Sequence, residues 1–366
     1  MNKFIKIVHI ALVFCLICQQ FFINTAVNAN ETASINNQLL KALGIMDSKF
    51  EADRDVTKAE AVTIIMRLAG LNHAPSGEAK KNFKDISNDF WAKDYIAAAL
   101  DSGIVNGDKE GYFYPDAPVT LQEFSKMLIC ALHYGYIADI NGGYPTGYLY
   151  QANKLKFLKD ISVAGNEKLT REAVSMIVYN ALTARISMIE GVFYQNGEQQ
   201  EQFGETTSLL NAVFDTYKVR AQITGYDVFN IFNTEVIREG YAMFDTQLYK
   251  VGAYNIQEYL GQVVDMYYQV SEEDDENTVL CIEPRVSTNE IYTIPSEQIE
   301  DGTNLNLIQY QIDDNSRIRE LKIPDDAIVI YNNVRLQNPT DDLLKKAVGN
   351  MKVILTEQYN LIFVNH

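Results

Sequence analysis

Three short stretches decide the fold of the first half of this chain: Thr57-Lys58-Ala59-Glu60, Thr120-Leu121-Gln122-Glu123 and Thr170-Arg171-Glu172-Ala173. Each begins with threonine, a residue that caps helices, and each is followed by apolar residues at helical spacing. After the second stretch these apolar residues are Phe124, Met127, Leu128, Ala131 and Leu132. The spacing predicts three amphipathic helices, and a unit of this kind cannot cover its apolar face alone. The first half is therefore predicted to be an array of repeats.

The second copy is the most complete and shows what one repeat contains. Residues 91–100 form another amphipathic pattern, and Gly103 after it predicts a left-handed residue that ends the helix. A glycine-rich loop, residues 104–116, then leads to the threonine-capped helix. Each repeat is thus predicted as helix, loop and helix. In the third copy Lys156 and Asp160 replace the two loop glycines, so we expect that loop to bend differently.

The first residues of the chain have the pattern of a targeting segment. Lys3 and Lys6 precede an apolar run at residues 7–17, and Val27-Asn28-Ala29 offers a small-residue cleavage site. This pattern predicts that residues 1–29 are a secretory signal peptide. A membrane anchor is the alternative, and the short apolar run disfavours it. After cleavage we expect no membrane contact.

The pattern of the chain changes after the repeats. Residues 191–210 are mostly polar and predict a linker. Residues 211–366 contain short, partly alternating segments such as 217–226 and 263–270, which predict a β-rich domain. The fold class is therefore α + β multidomain, with an all-α region first.

Charge and cysteine content restrict the possible partners and the compartment. The net charge of the whole chain is −17. Nucleic acid is an unlikely partner because its binding needs a basic face. Cys130 and Cys281, the cysteines outside the predicted signal peptide, are too few for a disulfide framework, and we expect two buried thiols.

The first turns of the repeat helices contain an unusual charge. Thr57 with Glu60, and Thr120 with Glu123, predict capping boxes. A cation in the first turn opposes the helix dipole, so Lys58 and Arg171 need another explanation. A cation beside free backbone N–H groups is suited to hold an anion. A solvated surface charge is the equally simple alternative.

The second copy closely resembles the S-layer homology motif. The matching positions are Phe83, Asp85, Trp91, Ala92, Ile96, Leu100, Gly103, Ile104, Val105, Gly107, Gly111, Phe113, Pro115, Val119, Thr120 and Glu123. With its flanking partial copies, the resemblance extends over residues 30–190. It implies three repeats, at about 30–72, 82–135 and 144–186, arranged as a three-fold pseudo-symmetric helical prism.

The resemblance also implies a partner. Members of the family attach non-covalently to secondary cell-wall polysaccharide and recognise acidic, pyruvylated sugars in grooves between repeats. The basic residue of the helix-start segment helps to hold the sugar, and this role falls on Lys58 and Arg171. Leu121 lacks the charge, and Ala173 breaks the third capping box, so we expect one or two competent grooves.

Asp85 and Trp91 match characteristic positions of the family's first helix, and both are candidate polysaccharide-binding residues. Their alternative roles are structural, with Asp85 as a helix cap and Trp91 as a core aromatic residue. For Trp91 the core role is the favoured interpretation.

No cofactor, metal site or catalytic residue is predicted. The segment from Asn106 to Ala117 echoes a calcium loop but lacks its final glutamate, so it predicts a turn. The acidic run at residues 272–276 predicts a solvated hairpin tip rather than a calcium site.

The sequence therefore predicts a secreted cell-surface protein, structural or associated with an S-layer, with possible self-assembly. The alternatives are a wall-anchored enzyme acting on polysaccharide and an adhesin-like display protein that binds a ligand.

Overall fold

The computed structural model describes residues 35–47, 51–71, 82–195, 198–227, 229–232, 236–251, 255–271, 276–313, 316–345 and 348–364. The predicted signal peptide lies outside these residues. The chain divides into two compact units, Met1–Asp215 and Thr216–His366. We refer to them as the N-terminal and C-terminal units. Within the described residues, no helix combines the length and apolar character needed to cross a bilayer.

The described part of the N-terminal unit is mainly helical. Its helices are α1 (residues 35–42), α2 (Lys58–Leu68), α3 (Lys93–Asp101), α4 (Leu121–Ala131), α5 (Gly135–Ile140), α6 (Thr146–Lys154), α7 (Arg171–Thr183) and α8 (Leu209–Ala212). The three helices predicted from the threonine stretches are α2, α4 and α7. Thr57 and Thr120 form complete capping boxes with Glu60 and Glu123, which confirms that prediction.

The residues that precede α2, α4 and α7 are joined by a ring of backbone hydrogen bonds. The amide of Val56 donates to the carbonyl of Leu169 over 2.9 Å, and that of Leu169 donates to Val119 over 2.9 Å. The amide of Val119 closes the ring by donating to Val56 over 2.8 Å. All three side chains are fully buried. The three helix starts are therefore equivalent members of one cyclic arrangement.

At the two positions where the third loop lacks glycine, its backbone has the same left-handed conformation as the second loop, so the expectation of a different bend is wrong there. Gly103 and Gly107 have φ of +72° and +67°, and Lys156 and Asp160 have φ of +65° and +61°. A left-handed φ is unfavourable for residues with a Cβ but not forbidden. The backbone path is thus kept even without glycine.

A two-stranded antiparallel hairpin occupies most of the segment that was predicted to be a linker. Its strands are β1 (Ile186–Gln195) and β2 (Glu198–Thr207). The linker prediction is wrong in secondary structure because it relied on the polar composition. Backbone hydrogen bonds hold a two-stranded ribbon whatever its side chains, so a polar sequence does not exclude it.

The C-terminal unit is β-rich, as predicted. Its strands are β3 (Thr216–Tyr226), β4 (Phe229–Asn230), β5 (Tyr241–Phe244), β6 (Gln247–Lys250), β7 (Val263–Val270), β8 (Asn277–Pro284), β9 (Glu290–Pro295), β10 (Leu307–Tyr310), β11 (Arg319–Lys322), β12 (Ile328–Tyr331), β13 (Val334–Arg335), β14 (Asn350–Leu355) and β15 (Leu361–Val364), and a short helix α9 is Asp341–Lys345. Strands β9 and β12–β15 form one sheet, in the order β13-β12-β15-β14-β9.

The first strands of this unit close into a barrel. Residues 216–222 of β3 pair with β7, and residues 223–226 pair with β5, with an irregularity between Ile223 and Gly225. The order β3-β5-β6-β8-β7 therefore returns to β3. The β6–β8 pair is parallel, and the other pairs are antiparallel. This is the strand order of the five-stranded Greek-key barrel known as the OB-fold.

Both cysteines are free thiols. Cys281 is buried in the C-terminal unit, as predicted, and Cys130 is partly buried on α4. Burial raises the pKa of the Cys130 thiol.

Candidate functional site

The amide groups at the starts of α2, α4 and α7 are used inside the protein. Three of them, those of Lys58, Leu121 and Arg171, donate to carbonyls of Ala117, Glu167 and Arg54 at 2.9, 3.0 and 2.8 Å. The next amide of each helix also bonds to a carbonyl of a loop preceding a neighbouring helix. The idea that Lys58 and Arg171 act beside free N–H groups is therefore wrong. Any anion held here must rely on side chains.

Lys58 on α2 contacts the start of α4. Its Nζ lies 2.8 Å from a carboxylate oxygen of Glu123, and the two side chains are 24% and 31% exposed. Burial raises the pKa of Glu123, but the hydrogen bonds from Lys58 and Thr120 outweigh it and hold that pKa below its usual value. The Lys58 cation is thus already paired with an ionised carboxylate.

Arg171 on α7 contacts the start of α2 in the corresponding way, but it is almost completely buried. Its side chain is 3% exposed, and its guanidinium lies 2.5 Å from Asp47 and 3.7 Å from Glu60. Glu60 also accepts two hydrogen bonds from Arg54, at 2.6 and 3.0 Å. The Nε of Arg171 is buried and has no hydrogen-bond partner within the described structure. Its charge therefore depends on Glu60 and on Asp47, whose side chain is 64% exposed.

Glu60 is the centre of this charge cluster. Burial raises the pKa of Glu60. The hydrogen bonds from Arg54 and the Thr57 amide, together with the charges of Arg54 and Arg171, lower that pKa by more than burial raises it. The net pKa lies below its usual value. Glu60 is consequently ionised at neutral pH and links the starts of α2 and α7.

The third interface of the ring, between α4 and α7, differs in chemistry. Lys58 faces the third residue of α4, and Arg171 approaches the third residue of α2. At the third interface, the corresponding first and third helix positions are Leu121 on α4 and Ala173 on α7. Leu121 is buried. The sequence showed Leu121 and Ala173 as separate departures from the repeat pattern, in the second and third repeats. In the fold both positions belong to one interface.

A groove of about 290 Å³ lies over the Lys58–Glu123 pair. Lys126, Tyr114 and Tyr144 also line it. The Nζ of Lys126 lies 5.7 Å from the centre of the Tyr144 ring, and no carboxylate of the described residues is within 4.0 Å of it. The groove thus combines a paired cation, an unpaired cation and aromatic rings.

A neighbouring groove of about 530 Å³ shares Lys126 and Tyr144 with the first. It also contains Asp139 and Tyr148, whose hydroxyl donates to Asp139 over 2.9 Å. Sequence reasoning missed Lys126 and Tyr144. The signal for Lys126 was its place one turn after Glu123 on α4, whereas no local pattern marked Tyr144, at the start of the predicted third repeat.

Asp85 and Trp91 do not line either groove. Both carboxylate oxygens of Asp85 accept hydrogen bonds from the amides of Phe113 and Tyr114, at 2.6–3.1 Å. Asp85 therefore fixes the loop before α4. Trp91 is 59% exposed and lies 5.9 Å from Phe90, measured between rings. The interpretation of Trp91 as a core residue is wrong, because it immediately precedes α3 and its apolar face.

The segment that echoes a calcium loop is a turn, as predicted. Asp108 accepts hydrogen bonds from the amides of Glu110 and Tyr112 and from the Tyr114 hydroxyl. Its oxygens are thus directed into its own loop. Among the described residues, no group of three or more His, Cys, Asp or Glu side chains is arranged to hold a metal ion.

Residues 82–125 match the family model of the S-layer homology domain. The chain is also similar to a cell surface protein of Thermoanaerobacter kivui, with 26% identity over 79% of this chain and 34% of that protein. It is 25% identical to the middle cell wall protein of Brevibacillus brevis, over 83% of this chain and 31% of that protein. A cellulosome-anchoring protein of Acetivibrio thermocellus is 30% identical over 21% of this chain and 18% of its own length.

These comparisons define the class of protein. Residues 82–125 are similar to the S-layer homology domain, and the chain resembles surface proteins of Gram-positive bacteria, including the clostridia-like Thermoanaerobacter kivui. It spans about a third of the length of the first two relatives. The domain and the relatives indicate a secreted protein that is anchored at the cell wall.

Proposed function

We propose that the N-terminal unit attaches the protein non-covalently to secondary cell-wall polysaccharide and that the ligand is an acidic, pyruvylated sugar. The observation that supports this most is the groove over Lys58, which an ion pair, Lys126 and three tyrosines line together. A sugar ring can pack on an aromatic side chain, and a ketal carboxylate can pair with Lys126. Because Lys126 has no carboxylate partner among the described residues, pairing requires no existing bond to break.

Lys58 has a second role in this proposal. Its ammonium group has three donors, of which Glu123 uses one, so Lys58 can also donate to a bound carboxylate. Glu123 and the Thr120 cap then position the Lys58 side chain. Arg171 has the equivalent place at the α7–α2 interface, where Asp47 already takes the position of an anion. A sugar bound there must displace Asp47.

We further propose that three S-layer homology repeats, at about residues 30–72, 82–135 and 144–186, form a pseudo-three-fold helical prism. The family match covers only the second repeat. The cyclic hydrogen bonds among Val56, Val119 and Leu169 support extending it to the other two. In this arrangement Asp85 is structural, and Trp91 offers an exposed ring for a second sugar contact.

The test is sedimentation of the recombinant chain with purified cell-wall sacculi. We expect binding to intact walls, and loss of binding after the secondary polysaccharide is stripped or its pyruvyl ketal is removed with mild acid. The variants Lys58→Ala and Lys126→Ala should each weaken binding. Lys168→Ala is the matched control, because Lys168 also pairs with a carboxylate, Asp55 at 3.3 Å, but lies outside the grooves.

Circular dichroism of each variant separates lost binding from lost folding. If Lys58→Ala and Lys126→Ala bind walls as the unaltered chain does, the groove is not the binding site. Binding that survives stripping of the polysaccharide would instead indicate peptidoglycan as the partner.

For the C-terminal unit we propose a structural role in a surface layer. Two of the relatives, a surface layer protein of Brevibacillus choshinensis and the Brevibacillus brevis protein, align over 89% and 83% of this chain. Those alignments extend beyond the repeats. Electron microscopy of the purified chain on wall fragments tests this role: ordered arrays support it, and isolated particles argue against it.

A further inference from the structure

The loop after α1 in the first repeat begins in the same way as the loop after α3 in the second. Gly44 and Gly103 have φ of +70° and +72°. In each loop the amides of the two residues after the glycine donate to one carbonyl of the preceding helix, at 2.9 and 3.2 Å in the first repeat and at 2.8 and 3.3 Å in the second. Asp47 follows Gly44 by three residues, and Asn106 follows Gly103 by three. Asp47 and Asn106 therefore hold equivalent positions in the two repeats.

The two equivalent positions face different interfaces of the ring. Asn106 lines the groove over Lys58, at the α2–α4 interface. Asp47 lies at the α7–α2 interface, where its carboxylate accepts a hydrogen bond from the Arg171 guanidinium over 2.5 Å. The same loop position is thus a neutral amide at one interface and a carboxylate at the other.

The groove over Lys58 has a cation that can receive an anion. Glu123 pairs with Lys58, whereas Lys126 has no carboxylate within 4.0 Å among the described residues. Asp108 also lines this groove, but its oxygens accept hydrogen bonds within its own loop. Because Asn106 is uncharged, the loop adds no competitor for Lys126.

At the α7–α2 interface both arginines already have carboxylate partners. Arg54 donates to Glu60, and Arg171 donates to Asp47 and lies 3.7 Å from Glu60. The Nε of Arg171 is buried and has no hydrogen-bond partner within the described structure. The Arg171 side chain is 3% exposed and that of Asp47 is 64% exposed. A ligand that approaches this guanidinium from solvent therefore meets Asp47.

We infer that Asp47 decides which interface holds the acidic sugar, because it competes with the carboxylate of the ligand for Arg171. This inference rests on the proposed function. A ligand carboxylate brought beside Asp47 meets a like charge, and such a juxtaposition opposes binding strongly. The unaltered chain therefore binds one acidic sugar, in the groove over Lys58. The interface at Arg171 becomes a second site when Asp47 loses its charge.

The experiment is titration calorimetry of the full chain with a methyl glycoside that carries one pyruvyl ketal. We expect the unaltered chain to bind one equivalent. Asp47→Asn, which introduces the residue that the second repeat has at this position, should bind two. Asp53→Asn is the matched control, because it removes an exposed carboxylate of the same loop and should leave one equivalent.

The reciprocal substitution tests the same reasoning at the other interface. Asn106→Asp introduces a carboxylate beside Lys126 and should weaken binding of the glycoside by about tenfold or more. Asn153→Asp adds the same charge at an exposed position of α6 outside both grooves, and should leave the affinity unchanged. Asn106 is exposed, so this arm decides the inference even if circular dichroism shows that Asp47→Asn unfolds.

A third arm separates this inference from the proposed function. The double variant Lys58→Ala, Lys126→Ala should lose the glycoside, and adding Asp47→Asn to it should restore one equivalent. The inference is overturned if the unaltered chain binds two equivalents, if Asp47→Asn adds none, or if Asn106→Asp binds as the unaltered chain does. If the unaltered chain binds neither walls nor the glycoside, the proposed function fails and the inference fails with it.

Discussion

Glu60 offers the sharpest test of how the N-terminal unit is held together. Its carboxylate accepts two hydrogen bonds from Arg54 and one from the Thr57 amide, and it lies 3.7 Å from the buried Arg171. In Glu60→Gln the amide keeps one acceptor oxygen, so the cap to Thr57 is retained while the charge is lost. Hydrogen bonds to charged groups contribute about 1.5–3 kcal/mol.

The Arg54 side chain is 37% exposed, so solvent screens its charge. The contribution of the Arg54–Glu60 hydrogen bonds to the free energy of unfolding is therefore at the lower end of that range. Arg171 is only 3% exposed and loses one of its two carboxylate neighbours, which adds roughly 1 kcal/mol. We expect a total loss of about 2–3 kcal/mol. In a unit of this size, this corresponds to a fall in the melting temperature of roughly 4–10 °C.

The assay is thermal unfolding of the full chain, followed by circular dichroism at a helix-sensitive wavelength. Glu51→Gln is the matched control: Glu51 also approaches Arg54, at 3.8 Å, but its side chain is 73% exposed. The control should change the free energy of unfolding by less than about 0.5 kcal/mol. Equal effects of the two substitutions would refute the central role of Glu60.

The pKa of Glu60 adds a pH dependence with a definite sign. Because the folded-state pKa lies below the ordinary value of 4.5, the stabilisation is fully present above that value. It is lost as the pH falls through the depressed folded-state pKa. The difference between the unaltered chain and Glu60→Gln should therefore be constant near neutral pH and shrink in strong acid. A difference that grows on acidification would contradict this reasoning.

Three further substitutions test single features of the second repeat. Asp85→Asn removes the charge that binds two loop amides at 2.6–3.1 Å and should cost about 1–3 kcal/mol in chemical unfolding. Gly107→Ala should lower stability by more than 1 kcal/mol, because φ is +67° and a Cβ would lie 2.4 Å from the Phe83 ring. Trp91→Ala should change the melting temperature by less than 2 °C, since the indole is 59% exposed; a large drop would mean that the ring packs in the core.

The period of apolar residues was enough to find the helices and several strands. Helices α2, α4 and α7 begin directly after the predicted threonine caps, and strand β7 has the predicted bounds, Val263–Val270. Strands β5 and β6 were missed because each has four residues, too few for a period of two to stand out. The barrel was missed for another reason. Its closure depends on pairings between distant residues, such as Thr216 with Gln269.

The candidate groove over Lys58 was only half predictable. Lys58 was found because a cation at a helix start is unusual, and this signal is local. Lys126 and Tyr144 were missed because their significance comes from neighbours in other parts of the fold. A lysine on the polar face of a helix is ordinary in sequence. What distinguishes Lys126 is its place in the groove beside the Tyr144 ring, and only the fold brings these two residues together.

Two of the three interfaces of the ring pair a cation with a carboxylate, and the third has neither at the corresponding positions. A cation facing a carboxylate is stable only while both are present, since a partly buried charge without its partner is costly. A glutamate at position 173 would have no cation at Leu121 to pair with, and the alanine present there leaves no carboxylate unpaired. Backbone hydrogen bonds from Leu121 and Gln122 join the start of α4 to the loop before α7, while the α2–α4 and α7–α2 interfaces have their charged pairs. Under the proposed function, side-chain charge is therefore available for an anionic ligand at the interfaces of Lys58 and Arg171 but not at the α4–α7 interface.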